Sequence, residues 1–164
     1  MKRLDLITNI AVLVTSVALL GFLGNSVYQS HHAPQPGVAR ARALIGSTVQ
    51  LAGVDFTRKE KTILIAMTST CHFCKESEPF YRQLAQTPSV TTNVVAVLPM
   101  PQPDAEKLVH TSISPSLQAV SSPLDSMGVR GTPTLLLVDR NGKVVKAWVG
   151  KLDDTGQKQV QSQF

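Results

Sequence analysis

Hydrophobic and polar residues are distributed unevenly along this chain. No Asp, Glu, Lys or Arg occurs from Leu6 to Ala39, and 13 of the 18 residues from Leu6 to Leu23 are apolar. Coiled as a helix, that stretch is about 27 Å long, and running on to Tyr28 lengthens it to about 35 Å, which brackets a hydrocarbon core of about 30 Å. The pattern predicts a transmembrane helix over 6–28, with Tyr28 as an interfacial aromatic. Lys2 and Arg3 precede it, so residues 1–5 are expected in the cytoplasm and the rest of the chain outside. A cleaved signal peptide is the competing reading. Gly24-Asn25-Ser26 is a weak cleavage site, and Ala39-Arg40-Ala41 has the right shape but lies some sixteen residues past the apolar stretch. Either reading exports the remainder.

Residues 29–44 read as a flexible tether, punctuated by Pro34, Pro36 and Gly37 and lacking apolar periodicity. From residue 45 to 164 the pattern changes to strands alternating with helices. Thr48–Leu51 and Val54–Phe56 are short strand candidates. Thr62–Met67 and Asn93–Leu98 are nearly continuous apolar runs, as in strands covered on both faces. Between them Cys71 to Gln86 reads as a helix, with Phe80, Tyr81, Leu84 and Ala85 on one side. Asp104–Val109 is a short helix, Leu117–Val120 an additional strand and Pro123–Met127 a single helical turn. Thr134–Val138 and Val144–Val149 are joined by Asp139-Arg140-Asn141-Gly142, a hairpin signal in which Asn-Gly supplies positive φ. Trp148 is expected in the core. Lys151–Phe164 is polar, a short helix or a frayed tail. These elements predict an α/β domain with a mixed central sheet flanked by helices.

Composition narrows the class. Residues 45–164 are enough for one core. Two cysteines exclude a disulfide-dense framework. A formal charge of +5, scattered without runs, argues against a nucleic-acid partner.

The chemistry lies in Cys71-His72-Phe73-Cys74, which follows a predicted strand and opens a predicted helix. A helix N-terminus offers unsatisfied N–H groups and partial positive charge, which favour thiolate. At this spacing the two sulfurs can bond to each other. The outer thiolate attacks a substrate disulfide and the inner thiol resolves the mixed disulfide. His72 is a candidate to stabilise the Cys71 thiolate. Structural zinc would need two further ligands, and only His72 and the distant His110 are at hand in the domain. His31 and His32 in the tether read as polar linker, so no metal site is expected. Glu76 and Glu78 read as first-turn residues complementing the helix dipole.

Three further features accompany the motif. Pro79 falls inside the predicted helix, Gly131-Thr132-Pro133-Thr134 leads directly into a strand, with Pro133 lying 62 residues after Cys71, and that strand runs into the hairpin. From about Ile45 to Lys151 the chain resembles the thioredoxin fold, and within it the membrane-anchored, TlpA-like thiol–disulfide oxidoreductases (redoxins). The resemblance implies that Cys71 is the attacking cysteine, Cys74 the resolving cysteine, Pro79 a helix-kinking proline and Pro133 a cis-proline preceded by Thr132. Thr132 and Pro133 would then form an edge where an extended substrate pairs, supported by His72 and Phe73 beside the cysteines. Leu98–Val129 looks like the insertion such proteins carry. Arg130 stands beside the proline loop, placed to steer an acidic partner. The chain departs from thioredoxins proper at Ile65, where they carry a buried Asp, and at Thr70, where they carry Trp. The resemblance implies no cofactor beyond the Cys71–Cys74 disulfide. It implies a protein dithiol or disulfide substrate, a membrane or exported electron donor, and a bacterial cytoplasmic membrane location with the domain on the periplasmic side. Two alternatives remain. Thr68-Ser69-Thr70-Cys71 holds part of a peroxiredoxin motif, with Leu64 in place of its proline, and two thiolates with His72 would suit Sco-type copper binding, although that family spaces its cysteines one residue further apart.

Overall fold

The computed structural model describes residues 13–25 and 36–164. Two units divide the chain between Gln35 and Pro36. The first contains helix α1, residues 13–25, whose side chains are exposed, among them Leu13, Val17, Leu20 and Phe22. Among the described residues no helix is long and apolar enough to cross a membrane. The expected span 6–28 begins and ends beyond α1, so residues 6–12 and 26–28, like His31 and His32, lie outside the described residues.

The second unit holds a five-stranded sheet. Its strands are β1 (Lys61–Ala66), β2 (Thr92–Leu98), β3 (Gln118–Ser121), β4 (Thr134–Asp139) and β5 (Val144–Val149), in the order β3-β2-β1-β4-β5. β1 pairs parallel with β2 and antiparallel with β4. β3 extends the parallel side and β5 the antiparallel side. The mixed sheet is therefore as expected, and the stretch Leu98–Val129 supplies its β3 edge.

Side chains of the central strands alternate between two cores. Ile63, Ile65, Ala96, Leu98, Leu135 and Leu137 pack on one face against helices α4 (Glu78–Gln86), α5 (Gln102–Ser112) and α6 (Asp154–Gln161). Leu64, Ala66, Val95, Val97, Leu136 and Val138 pack on the other against Leu44, Val49, Leu51, Met127 and Val129. Residues buried on both faces explain the continuous apolar runs in β1 and β2. At the hairpin Gly142 has φ +78, and a Cβ there would lie 2.6 Å from the Val49 carbonyl oxygen. Glycine is required by both conformation and space.

Several expectations change. Residues 36–44, read as the end of the tether, form helix α2 (Pro36–Leu44), with Ala41 and Leu44 buried. The folded unit thus begins at Pro36, not residue 45. Pro36 suits the first turn and Gly46, at φ +92, follows the end. Thr48 makes only a bridge to Lys143, and Phe56–Arg58 is a 3-10 turn rather than strand. The helix expected over Cys71–Gln86 is two: α3 (His72–Glu76) and α4, divided at Ser77. Pro79 has no N–H to continue the ladder, and in the first turn of α4 none is needed. Trp148 is half-buried on edge strand β5, its Nε1 donating to Gln159 Oε1 at 3.2 Å.

The new boundary is testable. A chain beginning at residue 36 is expected to match the full chain in its urea unfolding midpoint. A chain beginning at residue 46 should lose about 2–4 kcal/mol, the burial of Leu44 and Ala41. Equal midpoints for the two truncations would show that α2 is not part of the fold.

Candidate active site

The site follows from strand pairing. β1 and β4 are antiparallel with Ala66 opposite Thr134, so the chain leaving β1 and the chain entering β4 emerge side by side. The first leads through residues 67–70 to Cys71, and the second arrives through Gly131, Thr132 and Pro133. A contact of 3.5 Å between the hydroxyls of Thr68 and Thr132 ties the two loops together.

Cys71 is the N-cap of α3, with extended backbone. Its amide donates to the Thr68 carbonyl at 3.3 Å, which closes the loop. Cys71 and Cys74 form a disulfide, with Cα atoms 5.2 Å apart. The two sulfurs have different surroundings. Cys71 is half-exposed, and its Sγ accepts a hydrogen bond from the Cys74 amide at 3.1 Å. Cys74 is 1% exposed and belongs to the core beneath α4. The same N–H that serves the disulfide would hold a Cys71 thiolate after reduction, whereas burial opposes charge on Cys74.

The Thr132–Pro133 peptide is cis. Pro133 is buried, and its carbonyl accepts from the Gly150 amide at 2.8 Å. Thr134 Oγ1 donates to the Gly131 carbonyl at 2.7 Å and tightens the turn. Thr132 is half-exposed, and its backbone N–H and carbonyl make no backbone hydrogen bond to a described residue.

Phe73 is 54% exposed, an apolar ring standing beside the cysteines. The His72 ring meets its edge, with centroids 5.7 Å apart. His72 Nε2 lies 3.1 Å from Glu76 Oε1, so the imidazole engages this carboxylate one turn along α3 rather than the Cys71 sulfur. Glu76 Oε2 also accepts from Lys151 Nζ at 2.8 Å. The Lys151 hydrogen bond, with His72 contributing, holds the Glu76 carboxyl below the usual carboxylate range. Glu76 thus closes α3 and links it to the segment after β5, instead of serving a first turn. Glu78 does occupy the first turn of α4 and lies 3.5 Å from Arg82. Sequence spacing held a signal for the His72–Glu76 pair, at i and i+4, but none for Lys151.

Beneath the motif Tyr81 is 1% exposed, and its hydroxyl has no hydrogen-bond partner among the described residues. Burial pushes its pKa up to about 12, an effect slightly offset by the nearby Ser77 hydroxyl. Ser77 completes no bond to it, donating instead to the Phe73 carbonyl at 2.8 Å. Ile65, also fully buried, stands where thioredoxins proper carry their acid.

A sequence model of the thioredoxin-like domain matches residues 54–160. The chain belongs to the thioredoxin-like domain family. Solved structures agree in fold. A Chlorobium tepidum protein assigned as the thiol:disulfide interchange protein DsbE is 27% identical, with a TM-score of 0.57 over 73% of this chain and 94% of that one. The exposed lipoprotein thioredoxin Etrx1 of Streptococcus pneumoniae is 23% identical, with a TM-score of 0.55 over 67% of this chain and 88% of its own. StoA of Bacillus subtilis is 20% identical, with a TM-score of 0.54 over 72% and 92% respectively. No curated protein sequence matches the chain significantly. Family and paired cysteines together make this thioredoxin-like protein a dithiol–disulfide oxidoreductase.

Tyr81 yields a prediction in which the sign can be worked out. Its folded pKa lies above its ordinary value of 10, so the neutral phenol is favoured by folding. Stability from this source is complete below pH 10 and is lost as pH rises toward about 12, where only the unfolded phenol has ionised; two pKa units amount to about 2.7 kcal/mol. Tyr81→Phe should therefore match or exceed the natural protein in stability at neutral pH, by up to about 1 kcal/mol, and should lack the alkaline loss. Denaturant titrations of both proteins across that range give the difference directly. Parallel losses would mean that the phenol is not the titrating group.

Proposed function

We propose that this chain is an exported, membrane-tethered enzyme that exchanges its Cys71–Cys74 dithiol or disulfide with cysteines of protein substrates. The observation that carries the reading is the asymmetry of the two sulfurs beside an unpaired backbone edge: Cys71 reachable, Cys74 at 1% exposure, and Thr132 free to pair. An extended substrate segment adds to the Thr132 edge and brings its sulfur in line with Cys71. In the reducing direction the Cys71 thiolate attacks one substrate sulfur. A mixed disulfide forms and the other substrate sulfur leaves as thiolate, taking a proton. Cys74, once deprotonated, attacks Cys71 Sγ, restores the internal disulfide and expels the second substrate thiolate. Two electrons pass to the substrate. A membrane-bound or exported dithiol donor returns them. The oxidising direction is the same sequence reversed.

Export and tethering rest on the sequence. Residues 6–28 are mostly apolar, no Asp, Glu, Lys or Arg occurs between Leu6 and Ala39, and Lys2 and Arg3 stand before them. This segment anchors the chain in the bacterial cytoplasmic membrane, with the catalytic unit on the periplasmic side. The exposed apolar side chains of α1 support that reading, since water gives them no partner.

Trapping tests the roles of the two sulfurs. Cys74→Ser leaves no resolving thiol, so a mixed disulfide between Cys71 and a substrate protein should accumulate on non-reducing gels of membranes. Cys71→Ser should trap far less, since the remaining sulfur is buried. Equal adduct yields would dissolve the assignment, and tight copper binding with no adduct would move the protein to metal handling.

A further inference from the structure

On the sheet face away from α4 and α6, a cleft of about 630 Å³ opens between α2 and the segment 126–131. Leu44, Met127 and Val149 form its apolar lining, while Arg40 and Arg130 supply its charge. Among the described residues no carboxylate lines it. Both guanidinium groups are exposed and neither enters an ion pair among the described residues, in contrast to Arg82 and Arg140. Two unpaired like charges facing one concavity raise the local potential for an anion.

The position of this cleft gives it meaning. Arg130 and Gly131 form part of its wall, and the next residues are Thr132 and Pro133. The edge at which a substrate segment pairs and the wall of the cleft are one continuous strip of backbone. An extended segment advances about 3.3 Å per residue, so a chain paired at Thr132 reaches Arg130 within about two or three residues. The apolar floor takes an aliphatic or aromatic neighbour, and the arginines take carboxylates.

The chain's own linker does not suit the site. Residues 26–35 contain no Asp or Glu, so they offer nothing to either arginine. An anionic lipid headgroup would answer the charge, but it has no reason to lie against the strip that carries the redox proline.

We propose that this cleft is a docking subsite for acidic residues lying a few positions from the reacting cysteine of the protein substrate. The inference rests on the exchange reading above and adds the substrate class, a cysteine segment with flanking Asp or Glu.

The test uses the full chain, reduced and held in neutral detergent. Two synthetic peptides of equal length carry one intramolecular disulfide each. One has Asp at the two or three positions on either side of a cysteine, and the other has Asn there. The readout is the ratio of second-order rate constants with which the two oxidise the protein, and comparing that ratio between protein variants cancels both the peptides' own reactivity and changes in the reactivity of Cys71. The ratio is expected to favour the acidic peptide by about tenfold at low ionic strength and to shrink as salt is raised. It should fall to about one in an Arg40→Gln, Arg130→Gln double variant, and reverse toward a Lys-flanked peptide when both arginines become Glu. A ratio near one in the natural protein, or one unchanged by the double variant, overturns the inference while leaving exchange intact. Should neither peptide oxidise the protein, the exchange reading itself fails and takes the inference with it. A ratio near one together with arginine-dependent binding to phosphatidylglycerol vesicles would assign the cleft to lipid instead.

Discussion

The antiparallel ladder between β1 and β4 is the constraint that the site depends on. Registering Ala66 against Thr134 sets the end of one central strand beside the start of the next. Two loops that are remote in sequence are thereby forced together, one ending in Cys71 and the other in Pro133. The ladder can hold this register because both of its faces are buried. A slip by one residue would turn Ile63, Ile65, Leu135 and Leu137 out of one core and into the other. The same ladder fixes the cleft, since Thr134 and Gly131 share its wall with α2.

Within that frame, two residues, His72 and Phe73, separate two cysteines with opposed electrostatics. The Cys74 amide already donates to Cys71 Sγ. A hydrogen bond to a charged group contributes about 1.5–3 kcal/mol, and one pKa unit is worth about 1.36 kcal/mol. That single donor therefore pulls the Cys71 thiol below its free value. Cys74 receives no such help and lies in an apolar core with Ile65 and the neutral phenol of Tyr81. The local structure favours charge on Cys71 over Cys74 without the buried acid of thioredoxins proper. His72 does not add to it directly, because its imidazole is engaged by Glu76.

Much of this was legible in the sequence because it is local or periodic. The runs 62–67 and 93–98 read as strands covered on both faces, and Asn141-Gly142 marked the hairpin. The paired cysteines announced themselves by their place between a strand and a helix. What was hidden depends on distant partners. Helix α2 buries Ala41 and Leu44, which make no visible period, although Pro36 and Gly46 bracket it as helix punctuation. Lys151 reaches Glu76 across 75 residues. Arg40 and Arg130 meet in one cleft only because α2 packs against the segment that enters the proline loop. Pro79 does interrupt the helix, and the break falls at Ser77 because the proline sits in the first turn of α4.

The central claim is that Cys71 is an activated sulfur and Cys74 is not. Its most direct test is a pH titration of thiolate absorbance in the reduced protein and in each single serine variant. With Cys74→Ser, Cys71 should ionise below the free-thiol value of about 8.5. With Cys71→Ser, the remaining Cys74 should ionise at or above that free value. A Cys71 no more acidic than a free thiol, or a Cys74 more acidic than Cys71, would contradict the account.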